Sequence, residues 1–203
     1  MEIAIYFEGG GDSAESKAIL RQGMSGFLKP LVDQARQRRS RWRVVSCGGR
    51  NDAFNDFMNA TQVDPHVFNV LLVDSEDAVV VSSPRTHLQT RDHWNLNAVT
   101  DEHIHLMVQC METWLVSDPE ALAEYYKQHF NPNPLPQRPN LEQELKPSLY
   151  AALDAATRHT QKGAYGKISH GSDLLKRISA DKVKARCPHC QLLFNTVAAK
   201  IQE

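Results

Sequence analysis

Residues 3–7, IAIYF, are an unbroken apolar run closed by EGGGDS, the pattern of a short buried strand. Leu20, Met24, Phe27, Leu28 and Leu31 then recur at helical spacing, with Asp12 or Ser13 as the cap and Pro30 as a kink or restart. WRVVSC (42–47) reads as a second strand. NDAFNDFMNA (51–60) reads as an amphipathic helix with Phe54, Phe57 and Met58 on one side. Residues 67–73, VFNVLLV, form a third strand, apolar at all but one position. Strand, helix, strand, helix, strand predicts an α/β fold: a mostly parallel, Rossmann-like sheet with flanking helices. Sheets of this kind collect ligands at the carboxyl ends of their strands.

The second half is less regular. Residues 82–100 are polar and read as a loop, and 103–110 read as a fourth strand. A helix competes there, because Met107, Met111 and Leu115 share a helical face. SDPEAL is a helix start, with Asp118 as cap and Pro119 in the first turn. NPNPLPQRPN (131–140) carries four prolines and excludes regular structure. Beyond it, 147–160 and 171–178 read as helices, and a last helix from Pro188 buries Leu193, Phe194, Val197 and Ile201. The expected organisation is a core over 1–130, a proline-rich linker over 131–140, and a helical portion over 141–203 packed on that core.

Length and composition add limits. The chain has 203 residues, 41% hydrophobic and 23% charged, enough for one globular core. Its net charge of −1 gives no bulk attraction to nucleic acid or membrane. Locally the balance shifts: residues 158–186 hold eight Lys and Arg against Asp173 and Asp181. No apolar run is long enough to span a bilayer, and a strand stands where a signal peptide would. Four cysteines without a targeting segment point to reduced thiols in a cytoplasm.

The chemistry concentrates at two strand ends. Glu8 follows the first strand, and Asp74, Glu76 and Asp77 follow the third. A cap needs one acid, not three in four residues. Alternation in an extended segment turns Asp74 and Glu76 one way and Asp77 the other. Together with Glu8 they form an oxygen-rich set suited to Mg²⁺ or Mn²⁺. GGGD lacks the Lys and Ser/Thr of a P-loop, and Glu8 would repel phosphate there. Asp12, in the same turn, is placed with the substrate-binding residues.

Glu112 is a further ligand or an outer-shell carboxylate, while Trp114 belongs to the core or an interface. KGAYGKISHG sets Lys162, Tyr165, Lys167 and His170 in a glycine-punctuated loop. That loop is either a solvated basic turn or a phosphate clamp in which His170 protonates a leaving oxygen. CPHC (187–190) lacks two further zinc ligands and starts an amphipathic helix, so its thiols pack. HIH (103–105) reads as surface histidines, and the arginines of 36–43 as a solvated helix end.

FEGGGD and VDSED resemble the two acidic motifs of the TOPRIM domain of topoisomerases, primases and overcoming-lysogenisation-defect nucleases. YFEGGGDS, LLVDSED, HLMVQCMETWLVSDPEAL and KGAYGKISHGSDLLKRI together resemble a bacterial family of small TOPRIM-like proteins found beside ABC-type ATPases in phage-defence operons. The usual second motif is Asp-x-Asp, whereas here it is Asp74-Ser75-Glu76, which shifts the ion and leaves the number of metals open. The resemblance implies metal-dependent cleavage of phosphodiester bonds in DNA or RNA, with an ATPase partner. Glu8, Asp74 and Glu76 would hold Mg²⁺ or Mn²⁺, joined by Asp77 and Glu112. Lys162, Lys167 and His170 would serve the departing group. The rival is an idle scaffold that binds the ATPase or nucleic acid without cutting.

Overall fold

The fold was analysed in a computed structural model that describes residues 1–64 and 66–203. Four strands form one parallel sheet: β1 (Glu2–Glu8), β2 (Arg41–Gly48), β3 (Val67–Asp74) and β4 (Ile104–Met107), in the order β2-β1-β3-β4. Between them run α1 (Ala14–Phe27), α2 (Lys29–Gln37), α3 (Arg50–Val63) and α4 (Pro84–Asp92). After β4 the chain is helical: α5 (Glu112–Val116), α6 (Pro119–Tyr126), α7 (Lys146–Thr157), α8 (Lys167–Leu175), α9 (Ala180–Arg186) and α10 (Pro188–Gln202). The predicted α/β class, with a parallel sheet and a helical C-terminal part, is the observed one. Among the described residues no helix is long and apolar enough to cross a membrane.

Alternation along the strands builds two cores. Ile3, Ile5, Phe7, Val70 and Leu72 face α1, α2 and the C-terminal helices, where Trp114 stacks on Phe27. Ala4, Tyr6, Leu71, Val73, Ile104 and Leu106 face the other way, onto residues of α3 and α4. Residues 131–140 contain no helix or strand. Leu135 within them is nonetheless buried in the same cluster as Ile3 and Leu153.

Several boundaries follow from single residues. Ser13 rather than Asp12 caps α1, its hydroxyl accepting from Ser16 N at 3.1 Å. Pro30 lies in the first turn of α2, so the expected restart occurs at Leu28. Asp118 caps α6 and also accepts from Ser179 N at 2.9 Å and Lys182 Nζ at 2.7 Å, tying α6 to α9.

Some elements depart from the pattern. The expected loop over 82–100 contains α4, which begins at Pro84 with Ser83 as cap. Its sequence is polar because it buries only Pro84, His87 and Leu88, too narrow a stripe for apolar periodicity to register. The fourth strand covers Ile104–Met107 of the expected 103–110, and the competing helical reading does not hold there: helix begins beyond that stretch, at Glu112. Helix α9 was not anticipated, since it buries only Ala180 and Val183. Lys167 and His170 lie in the first turn of α8, not in a loop. His105 is buried rather than on the surface, its Nε2 at 3.1 Å from Glu102 O. His103 is bonded separately to Asn69 O, so the two rings form no metal pair. Cys187 and Cys190 are buried around the start of α10, as expected of packing thiols, and burial pushes the Cys187 thiol up to about 12.

Helix α8 is held against α1 by a backbone approach. A Cβ on Gly23 would lie 2.7 Å from the carbonyl oxygen of Ser172, whose hydroxyl donates to Ile19 O at 2.6 Å. Gly23→Ala is therefore expected to push α8 outward and destabilise the fold by about 1–3 kcal/mol, the usual cost of overpacking. Chemical denaturation measures this, and an unchanged midpoint would contradict the close packing.

Candidate functional site

The chain leaves β1 for β2 on one side, then crosses back so that β3 and β4 lie on the other side of β1. The direction of strand addition thus reverses between β1 and β3, and their diverging connections open a crevice at the carboxyl ends. Glu8 is the last residue of β1 and Asp74 the last of β3, one on each side of that crevice. The β1–β2 register slips between Phe7 and Glu8, so that Glu8 pairs with Gly48. Gly9 and Gly48 then exchange two backbone hydrogen bonds, of 2.7 and 3.1 Å. Gly9, Gly10 and Gly11 all have positive φ (119°, 92° and 60°), which glycine adopts without strain, and they turn the chain sharply away after Glu8.

Carboxylate oxygens of Glu8, Asp74 and Glu76 lie within 4.8 Å of one another. Each is fixed. Glu8 Oε1 accepts from Asp74 N at 3.0 Å, so its carboxylate reaches across to the neighbouring strand end. Asp74 is buried, and its Oδ1 accepts from Met111 N at 2.8 Å. Glu76 sits in a left-handed conformation (φ 65°) with its backbone N bonded to Gln109 O at 2.9 Å.

Three cations surround the acids, and two of them did not stand out in the sequence. Arg50 Nη1 donates to Glu8 Oε2 at 3.0 Å and to Asp74 O at 2.6 Å, while its Nε and Nη2 form a two-pronged pair with Asp92. Lys146 donates to Glu76 Oε2. Lys167 Nζ lies 3.5 Å from Asp74 Oδ2 and 4.0 Å from Glu112 Oε2. Each cation is the first residue of its helix (α3, α7 and α8), where the helix dipole disfavours positive charge. A cation in that unfavourable place is the signal that would have exposed Arg50 and Lys146.

The other expected residues divide. Glu112 is fully buried, accepts from Tyr165 OH at 2.9 Å through Oε1, and leaves Oε2 without a hydrogen-bond partner. It is linked to the triad through Lys167. Asp77 is exposed and pairs with Arg91 instead of joining the acids; the alternation expected over 74–77 does not operate, because β3 ends at Asp74 and Glu76 is left-handed. Asp12 is exposed in the glycine turn. Lys162 lies over the Tyr125 ring at 4.6 Å. His170 is buried, its Nδ1 within 3.1 Å of Tyr126 OH and accepting from Gly166 N at 3.2 Å, so the ring secures the start of α8. Burial and the nearby Lys162 hold His170 below its ordinary pKa, and hence neutral.

The family described as Domain of unknown function (DUF4276) matches residues 7–198. The chain belongs to this family. No curated protein and no solved structure matches it. The DUF4276 match takes in the whole site, from Glu8 through Arg50, Asp74 and Lys146 to Lys167.

The DUF4276 site fits a hard divalent cation. Its donors are carboxylate oxygens, the ligands such ions take, and one from each acid lies within 4.8 Å of the others, close enough to converge on one ion. Burial pushes the Asp74 carboxyl up to about 8; Glu8 and Glu112 add to the shift, and Lys167 opposes it only in part. For Lys167 burial acts downward, but Asp74 and Glu112 more than offset it, so the ammonium stays charged.

A carboxyl with a folded-state pKa near 8, against 3.8 ordinarily, binds more protons folded than unfolded throughout that interval. Stability contributed by protonated Asp74 is complete below about 4 and is lost as pH rises towards 8. In chelator, the wild type is therefore expected to lose stability between pH 5 and pH 8 relative to Asp74→Asn, whose side chain does not titrate. Denaturation midpoints at the two pH values measure the difference, and parallel pH profiles would contradict the assignment.

Proposed function

We propose that this protein is a Mg²⁺- or Mn²⁺-dependent phosphodiesterase that cleaves DNA or RNA, with the TOPRIM-like chemistry its motifs resemble. The reading is carried by one observation: three carboxylates from the ends of β1 and β3 meet at the switch point, ringed by Arg50, Lys146 and Lys167. Acids alone suit a cation, and cations alone suit a phosphate. Metal-dependent phosphodiester cleavage uses both within a few ångströms.

Glu8, Asp74 and Glu76 are the residues that would hold the metal. When bound, it supplies Lewis-acid polarisation of a phosphoryl oxygen and lowers the pKa of water. Arg50 fixes Glu8 in its reach across the crevice, and the Asp92 pair keeps the guanidinium from turning away. Lys167, at the rim and partly exposed, presents its ammonium to a phosphate oxygen and balances charge that builds on the departing group. Tyr165, kept neutral by burial and Glu112, donates to Glu112 and holds that carboxylate beside Lys167. The resemblance to proteins encoded beside ABC-type ATPases supports a large ATPase partner that licenses cleavage.

A second reading, an idle scaffold for such a partner or for nucleic acid, is favoured by the contacts of Lys146 with Glu76 and of Lys167 with Asp74. With the pair of Arg50 and Glu8, these contacts already compensate all three acids.

Incubation with circular DNA and with single-stranded RNA, in Mn²⁺ or in chelator, separates the two. Cleavage is expected with Mn²⁺ only, absent in Asp74→Asn, and reduced about 10²–10³-fold in Lys167→Ala, the usual cost of removing one charge-stabilising donor. Equal cleavage by Asp74→Asn and wild type would overturn the proposal. Mn²⁺ binding without cleavage of either polymer, with the ATPase present, would establish the scaffold.

A further inference from the structure

Helix α1 separates two concavities. Ser16, Ile19 and Leu20 line a cavity of about 180 Å³ with Gly9–Gly11 and Lys167, beside the acidic triad. On the adjoining face Ala14, Lys17, Ala18 and Arg21 form one wall of an open groove of about 480 Å³, whose other wall is Arg43–Ser46 of the edge strand β2. Lys17 and Arg21 are four residues apart and so project from the same side of α1. Among the described residues neither has an ion-pair or hydrogen-bond partner. Arg43 is engaged on the other face of the sheet, by Glu2 at 3.6 Å, by Tyr6 OH at 3.2 Å and by the Tyr6 ring. Among the described residues no acid pairs with Lys17 or Arg21, and Glu2 pairs with Arg43.

The groove ends at the site. Ser46 Oγ donates to Gly9 O at 2.8 Å. The stem of Lys17 packs on the glycine turn: a Cβ on Gly48 would lie 2.7 Å from Lys17 Cε, and one on Gly10 would lie 2.9 Å from Lys17 Cα. Gly48 is the β2 partner of Glu8 and Gly10 lies two residues after it, so Lys17 packs on the turn that leaves the acidic strand end.

We infer that the α1–β2 groove is a phosphate track, in which Lys17 and Arg21 hold the backbone of a polynucleotide whose scissile bond lies over the acids. The inference rests on the phosphodiesterase reading and extends it: the substrate is a polymer that continues several nucleotides past the cut, not a mononucleotide. Two cations one helical turn apart, with no side-chain partner among the described residues and facing an open groove, suit successive phosphates of a nucleic-acid backbone. Their position beside the triad, not the chain's net charge of −1, supplies the attraction.

The test is binding of a labelled single strand of about 20 nucleotides, longer than such a groove engages, to Asp74→Asn protein in chelator, so that no cleavage intervenes. Salt is varied between about 50 and 200 mM. Adding Lys17→Gln and Arg21→Gln is expected to weaken binding and lower the log–log salt slope by about 1.4, two phosphate contacts on a single strand. Arg21→Gln alone, where the guanidinium has no polar partner to lose, should lower it by about 0.7 and keeps the test readable if the double variant unfolds. Binding with an unchanged slope overturns the track while leaving the cleavage reading intact. No binding by the Asp74→Asn parent also overturns it, and slope loss seen only with an acidic polypeptide assigns the groove to a protein partner instead.

Discussion

The structure turns on the mutual repulsion of carboxylates that the topology forces together. A parallel sheet with its switch between β1 and β3 places the last residues of those strands side by side. Both are acids, and Glu76 adds a third. At about 5 Å each pair of negative charges costs on the order of 1–3 kcal/mol once both are ionised, depending on how much water screens it, and this repulsion helps to hold Asp74 protonated up to about pH 8. A fold that merely needed to end two strands would have no reason to keep that cost.

The surrounding elements offset it in an ordered way. The α3, α7 and α8 helices each start at the site and each contribute their first side chain, Arg50, Lys146 or Lys167, as a counter-charge. Gly23 allows α8 to approach α1 closely enough for Lys167 to reach Asp74, and His170 secures the first turn of that helix. The C-terminal helices therefore complete a site that the sheet begins. Glu112 extends the same arrangement inward, a fully buried carboxylate with one oxygen bonded to Tyr165 and the other left beside Lys167.

Much of this was legible in the sequence where one residue governs one feature. The apolar runs at 3–7 and 67–73 and the Asp118 cap are local and were readable, while the α1 cap was narrowed only to Asp12 or Ser13 and Pro30 to a kink or a restart. The meeting of Glu8 with Asp74 followed from topology, since strand ends at a switch point must be neighbours. What escaped was of two kinds. Helix α4 hid because a helix that buries two or three side chains shows no apolar period. Arg50 and Lys146 hid because their meaning lies in a long-range pairing, Arg50 with Glu8 and Asp92, Lys146 with Glu76. Only their awkward placement at helix N-termini left a local trace. The basic loop misled for a related reason. Its residues share a stretch of chain but not a direction: Lys167 faces Asp74, Lys162 lies on Tyr125 and His170 turns to Tyr126.

The central claim is that Glu8, Asp74 and Glu76 act as one set of ligands. Electron paramagnetic resonance of free Mn²⁺ titrated with wild type, Glu8→Gln, Asp74→Asn, Glu76→Gln and Asp77→Asn tests it directly. The account predicts that the wild type and Asp77→Asn deplete the free-ion signal alike, because Asp77 points away, and that each of the other three variants binds at least tenfold more weakly, as loss of a ligand or its close support does elsewhere. Equal depletion by all five proteins would contradict it.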